Sequence, residues 1–364
     1  MGSRSIVTKL RPIRQAVGGS YRKFLVDKNV QPMPLEAIVP LEESADVLLL
    51  CSRFLRYFEP QIYVRELAFA HEMAARNRTF AVSDDPSILF EKSVIWFLPG
   101  RFVSPRLWDY SRQIHEFASG LERQGNRLLC SSEEVAYWEN KTNMHRRLDE
   151  VGVPTPRAKI LTGDNWRSVA FDIEPVLIKE EHSAGSSGIR YFATAGEAQN
   201  FVMSYSFRPA EGLIMQEVVA GATKDMRLTM VGDKAIEPAT YWREKTVEAL
   251  ASSKWTSTAT TYNSLVRHDD IPASIVPMAA EYLRKLGVRT AGIDLMWVED
   301  DLSQNPVVLE LSPYYQPNPP KPERYADWSY KQYKERPLIR EGYIFQQYLV
   351  FRDIAKEILA QGLY

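Results

Sequence analysis

Apolar positions along the chain fall into two patterns. Compact apolar runs bounded by charge lie at 46–52, 92–98 and 127–130, and runs of this length predict short buried strands. Residues 106–124 instead place Leu107, Tyr110, Ile114, Phe117 and Leu121 at spacings of three and four, the mark of an amphipathic helix. Strands alternating with helices predict an open α/β layer over 1–130.

Past that layer the pattern changes. Helical residues 133–151 end at Gly152-Val153-Pro154-Thr155-Pro156, where the prolines stop the helix and enforce an extended connector. Strands are then predicted at 175–180, 189–193, 213–219, 226–231 and 234–240, with Gly232-Asp233 as a tight hairpin turn. A helix at 273–286 ends at Gly287, a suitable C′ residue. Strands at 290–298 and 306–312, a proline-rich loop at 313–322 and a final amphipathic helix at 338–360 complete the pattern. The second half therefore reads as α+β with mixed and antiparallel sheets. The expected division is 1–140, 141–220 and 221–364.

Composition narrows the class. The 364 residues carry 45 Lys+Arg against 46 Asp+Glu, a formal net charge of −1. That balance excludes a strongly basic nucleic-acid binder, and 45% hydrophobic residues exclude a disordered chain. Two cysteines, Cys51 and Cys130, make neither a disulfide framework nor a CxxC pair, and the five histidines stand apart, so no zinc signature is present. No run approaches the roughly 18 apolar residues of a membrane span. A cytoplasmic protein without membrane or nucleic-acid partners is expected. Before the first acid, Asp27, the N-terminus carries six basic residues, read as a solvated leader or an arm that gathers anions.

Candidate chemistry concentrates in the second half. If Val298 pairs with Pro306 in an antiparallel hairpin, Asp294 lies opposite Glu310. Facing like charges destabilise a sheet, so a cation is expected between them, and two carboxylates with open oxygens suit Mg²⁺ that also holds phosphates. Ser312 shares the face of Glu310 and could add an oxygen. A strand ending in Lys179 leads into Glu180-Glu181-His182-Ser183-Ala184-Gly185-Ser186-Ser187-Gly188, small residues that let a backbone approach phosphates. The loop fits neither the Walker pattern nor GxGxxG. Asp225, Arg227 and Thr229 alternate along one face of a strand, lining either a cleft or a wet surface. Lys141 and Arg243 are further cations near these elements.

The order of these features, Lys141, linker, Lys179, small-residue loop, Gln216-Glu217, Asp225-x-Arg227, Arg243, Asp294 and Glu310-Leu-Ser-Pro, resembles the ATP-grasp superfamily of carboxylate–amine ligases, which includes D-alanine–D-alanine ligase, glutathione synthetase and ribosomal-protein glutamate ligases. The resemblance covers 130 to about 320 well and the N-terminal layer loosely. It implies α+β lobes that clasp ATP. Lys141 and Lys179 would contact phosphates and the adenine edge. Ser183, Gly185, Ser186, Ser187 and Gly188 would fold over the phosphates. Gln216 and Glu217 would present side chain and backbone to adenine, and Asp225 would take the ribose hydroxyls. Arg227 and Arg243 would face the transferred phosphoryl group, and Asp294 and Glu310 would hold Mg²⁺, or Mn²⁺ in its place. The family usually has Glu-x-Asn where this chain has Glu310-Leu-Ser312.

The implied reaction joins a small amino-acid-type carboxylate to an amine through an acylphosphate, releasing ADP and phosphate. A small-molecule kinase and a non-catalytic nucleotide-binding protein are the alternatives, and the chain is left free to act as monomer or homodimer. The stretch 241–268 lacks regular period and reads as a substrate loop. The turn at 313–320 reads either as part of a pocket or as cover for the sheet end.

Overall fold

A computed structural model of the protein describes residues 47–50, 60–83, 85–96, 110–138, 140–183, 188–208, 211–246, 250, 257, 264–334 and 341–364. In chain order the elements begin with β1 (Val47–Leu50), α1 (Pro60–Ala75), β2 (Phe80–Ser83), β3 (Ser93–Trp96), α2 (Tyr110–Arg123), β4 (Arg127–Leu129), α3 (Ser132–Val135) and α4 (Lys141–Glu150). Next come β5 (Ala158–Thr162), β6 (Val176–Glu180), β7 (Ile189–Phe192), α5 (Ala195–Ser204), β8 (Gly212–Glu217), β9 (Lys224–Val231) and β10 (Lys234–Ala235). The chain finishes with β11 (Tyr241–Lys245), β12 (Ser264–Arg267), α6 (Ile275–Leu286), β13 (Thr290–Met296), β14 (Val307–Ser312), α7 (Tyr330–Lys334) and α8 (Tyr343–Gln361).

The chain divides into two compact units. The first comprises Met1–Phe102, Ala118–Ser131 and Pro317–Tyr364. Its parallel sheet has the order β2-β1-β3-β4. All four residues of β1 are buried, as expected where both faces of a parallel strand are covered. Helix α8 packs along α1, with Arg352 on Glu72 and Tyr348 edge-on to His71. Residues 317–364 fall in this first unit, where α8 packs along α1.

The second unit, Val103–Phe117 and Ser132–Gln316, contains two sheets, both antiparallel throughout. One has the order β5-β8-β6-β7. Val176 and Ile178 of β6, with Leu213 and Met215 of β8, point into a core shared with Ala198 and Val202 of α5. The alternation of a strand then sends Leu177, Lys179 and Gln216 to the other face. The other sheet has the order β12-β11-β9-β13-β14, with β10 paired to β9. Met226, Leu228 and Met230 of β9 pack with Ile275, Ala279, Leu283 and Leu286 of α6. Asp225, Arg227 and Thr229 consequently occupy the opposite face.

Four sequence expectations change. The helix expected over 133–151 is two, because Asn140 caps α4 by accepting from the Asn143 amide and thereby starts a new helix. The strand expected over 234–240 stops at Ala235, and a 3₁₀ turn, Glu237–Ala239, follows. Pro238, which has no N–H for a ladder, sits inside that turn. Part of the presumed substrate loop is a strand pair, β11 with β12; residues 247–249, 251–256 and 258–263 of it lie outside the described residues. The strand expected to reach Val298 ends at Met296, and Val298–Asp300 forms a 3₁₀ turn. Among the described residues no helix is long and apolar enough to cross a membrane.

Candidate functional site

The sheet face of β11, β9 and β13 carries four charged residues in contact, Arg243, Asp225, Arg227 and Asp294, and β14 adds Glu310 beside them. Asp225 lies opposite Arg243, and Asp294 lies opposite both Arg227 and Glu310. The register between β13 and β14 is the one read from the sequence at Asp294, but it shifts between Asp294 and Leu295, so Leu295 pairs with Val308. This bulge bends the strand just beside the two acids.

Arginine, rather than open space, meets the acids of β9 and β13. Arg243 donates from Nε to Asp225 Oδ1 at 2.9 Å and from Nη2 to Asp225 Oδ2. The same Nη2 is 3.0 Å from Asp294 Oδ2. Arg227 forms a second fork, from Nε to Asp294 Oδ1 and from Nη2 to Asp294 Oδ2 at 2.7 Å. Burial pushes the Asp294 carboxyl up, but Arg227 and Arg243 together hold it below its ordinary range. Gly292 permits this arrangement: a Cβ there would meet Arg227 Cδ and Tyr315 Cβ, each at 3.1 Å.

Glu310 differs. Its side chain makes no hydrogen bond or ion pair to a described residue. Ser312, two residues on, donates its hydroxyl proton to the Tyr314 carbonyl at 2.5 Å. Tyr314 in turn packs on Trp138 at 4.7 Å between ring centroids, and Tyr315 hydroxyl pairs with Thr290 Oγ1 at 2.7 Å. The residues after β14 thus cover the sheet end.

The other sheet supplies cations. Lys179 on β6 is buried, and its side chain makes no hydrogen bond or ion pair to a described residue. Burial, then the neighbouring Lys141, pushes its ammonium down to about 8, against the pull of Glu310 and Asp294. Lys141 opens α4 and donates from Nζ to the Ser183 carbonyl. His145, one turn further along α4, is pushed down to about 3 by burial and by Lys179 and Lys141, so it is neutral at pH 7. Its Nε2 is 3.4 Å from Gln216 Nε2.

Several of these groups line one cavity with about 750 Å³ of empty space including its mouth. Its polar wall includes Lys141, Lys179, Arg243, Lys245, Asp225 and Glu310; its apolar wall includes Leu177, Ile189, Val218, Ala222, Met296 and Leu309. A concave site of this size, mostly apolar with a few converging charges, is the usual form of a small-ligand pocket.

The structure therefore brings Lys141, Lys179, Gln216, Glu217, Asp225, Arg243, Asp294 and Glu310 to one cavity, with Arg227 paired to Asp294 beside it. Three assignments change in detail. Glu217 accepts at its carboxylate from the Arg157 amide, 2.7 Å away. Asp225 is engaged by Arg243. Arg243, expected beyond the end of a strand, lies inside β11. Ser183 donates its hydroxyl to the Glu180 carbonyl, and Gly188 sits at φ +74°, where a Cβ would strike the Glu180 carboxylate. Gly185, Ser186 and Ser187 lie outside the described residues.

Sequence reasoning missed Lys245 and His145. Lys245 follows Arg243 by two and shares its face, a signal hidden while 241–268 read as irregular. His145 follows Lys141 by four, the spacing of one helical turn.

Mg²⁺ binding can be tested against the donors. The ion needs one or two carboxylates beside waters and phosphates. Glu310 offers open oxygens, while each Asp294 oxygen already accepts from arginine. The set fits with Glu310 as principal ligand and Asp294 as a second. Among the described residues no cluster of three His, Cys, Asp or Glu could hold a metal by itself.

No family model matches the chain, and no curated protein matches it in sequence. Solved structures similar in fold include the ATP-grasp ligase PsnB complexed with minimal precursor, at 13% identity over 75% of this chain and 91% of that one, TM-score 0.48. Another is D-alanine–D-alanine ligase from Bacillus anthracis, at 11% identity over 88% and 100%, TM-score 0.49. A third is the RimK domain protein ATP-grasp from Sphaerobacter thermophilus, at 16% identity over 73% and 90%, TM-score 0.47. Similarity at this level carries no weight for the chemistry, which rests on the residues above.

Proposed function

We propose that this chain is an ATP-dependent carboxylate–amine ligase of ATP-grasp type. The observation that carries the reading is Lys179: a buried ammonium without a partner among the described residues, beside a second lysine and across a cavity from an unpaired carboxylate. A buried cation needs an anion, and a polyphosphate supplies it while Glu310 supports the phosphates' own counter-ion. In this reading 141–220 is the smaller nucleotide lobe.

Adenine would lie against Leu177, Ile189, Val218 and Met296. Lys141 and Lys179 would hold phosphate oxygens. Mg²⁺, held by Glu310 and Asp294, would neutralise phosphate charge. Arg243 and Arg227 would face the γ-phosphoryl group. A substrate carboxylate oxygen attacks the γ-phosphorus as the bond to the ADP oxygen breaks. An amine nitrogen then attacks the acyl carbon, phosphate leaves with the acyl oxygen, and the nitrogen gives its proton to solvent. The protein's part is positioning and charge stabilisation.

Phosphate release tests this. With ATP, Mg²⁺ and a panel of amino acids and small peptides, ADP and free phosphate should accumulate only with both a carboxylate and an amine, and mass spectrometry should find the amide. Turnover without an amine, with phosphate kept on the product, would make the protein a kinase. Failure to bind ADP would remove the nucleotide reading.

A further inference from the structure

Strand β11 presents three polar side chains on one face: Lys245, Arg243 and Tyr241. Lys245 and Arg243 line the cavity. Tyr241 stands about 6.7 Å further along the strand than Arg243, on the side away from Lys245. Across β9 it lies opposite Arg227. Only 3% of its surface is exposed. Asp225, Arg227, Arg243 and Asp294 all act electrostatically on its phenol. Its hydroxyl makes no hydrogen bond to a described residue, and it is not among the fully enclosed unpaired atoms. The ring packs near His268, with centroids 5.8 Å apart.

We propose that Tyr241 is a substrate-contacting residue whose hydroxyl donates a hydrogen bond to the phosphoryl group in transfer, completing an anion cup with Arg227 and Arg243. The inference rests on the ligase reading above. A phosphoryl group in flight spreads charge over three equatorial oxygens. Both arginines commit part of their donor set to Asp225 and Asp294, so a third donor is needed. A phenol supplies it without adding a charge that would repel the metal. Burial raises its pKa against the pull of the guanidiniums, which keeps the proton on oxygen at neutral pH. In this reading the contact belongs to the transferring group, and ADP alone does not make it.

Calorimetry with ADP and Mg²⁺, with and without aluminium fluoride as the mimic of that group, tests the assignment in the full-length protein. Tyr241→Phe should weaken the aluminium fluoride complex about tenfold, the scale of one hydrogen bond to a charged group. Its ADP affinity and melting temperature should stay at wild-type values. Equal losses with and without aluminium fluoride would make Tyr241 structural and overturn the inference, as would no loss at all. A wild type that binds ADP but gains nothing from aluminium fluoride would also overturn it while leaving nucleotide binding intact. A wild type that does not bind ADP would overturn both this inference and the proposed function.

Discussion

Asp294 and Glu310 stand opposite each other on β13 and β14, yet only Asp294 is neutralised. Two guanidiniums converge on it, while the Glu310 side chain makes no hydrogen bond or ion pair to a described residue. The repulsion expected of facing carboxylates is thus offset by direct ion pairs on β13, whereas Glu310 on β14 has none among the described residues.

Glu310 should act through the metal. Glu310→Gln keeps the shape and removes the charge. It should weaken ADP binding about tenfold with Mg²⁺ present, the scale of one charge-assisted contact, and leave binding in EDTA unchanged. Titration calorimetry under both conditions is the check; equal losses would show that Glu310 shapes the pocket without serving the ion.

Lys179 predicts opposite effects on stability and binding. Its folded pKa, about 8, lies below its ordinary value. From there up to about 10.4 the unfolded chain binds more protons, so stability of the free protein rises with pH across that window. Lys179→Met should abolish this rise and stabilise the free protein at pH 7, read from melting curves. The same change should lower ADP affinity by roughly 1.5–3 kcal/mol. Wild-type affinity should fall as pH rises past about 8, because the ammonium then gives up its proton. A Met variant that binds ADP normally would make Lys179 a bystander.

Arg243 is structural as well as chemical. Arg243→Ala leaves Asp225 buried without its fork, a loss of about 3–5 kcal/mol. Replacing both, Asp225→Leu with Arg243→Leu, should recover much of that stability in urea denaturation, yet turnover should remain at least about 10²-fold down, as when one charge-stabilising donor is lost. Arg243→Lys should restore stability better than turnover, since a point charge does not reproduce a planar fork. Recovery of activity in the double variant would show that the pair serves only to hold the sheet.

Much of the site was legible because sheets obey short-range rules. The Asp294–Glu310 register followed from two apolar strands and a polar connection. Lys179 on the cavity face follows from the alternation of β6, where Val176 and Ile178 take the core. What misled was the stretch after Ala235. Pro238 and a 3₁₀ turn interrupt the period, and β11, which carries Arg243, Lys245 and Tyr241, was concealed with them.

By itself, the sequence determined the order of most elements and the pairing of the two acids, since each depends on neighbours along the chain or one strand away. Only the tertiary structure decided which charges were already spent. Arg243 reaches Asp225 from 18 positions away and Arg227 reaches Asp294 from 67, so no local pattern marks Asp225 as engaged or Glu310 as open. Burial decided the rest: the same lysine is an ordinary cation on a surface, and only enclosure beside Lys141 turns Lys179 into a group that is stabilised by an anion.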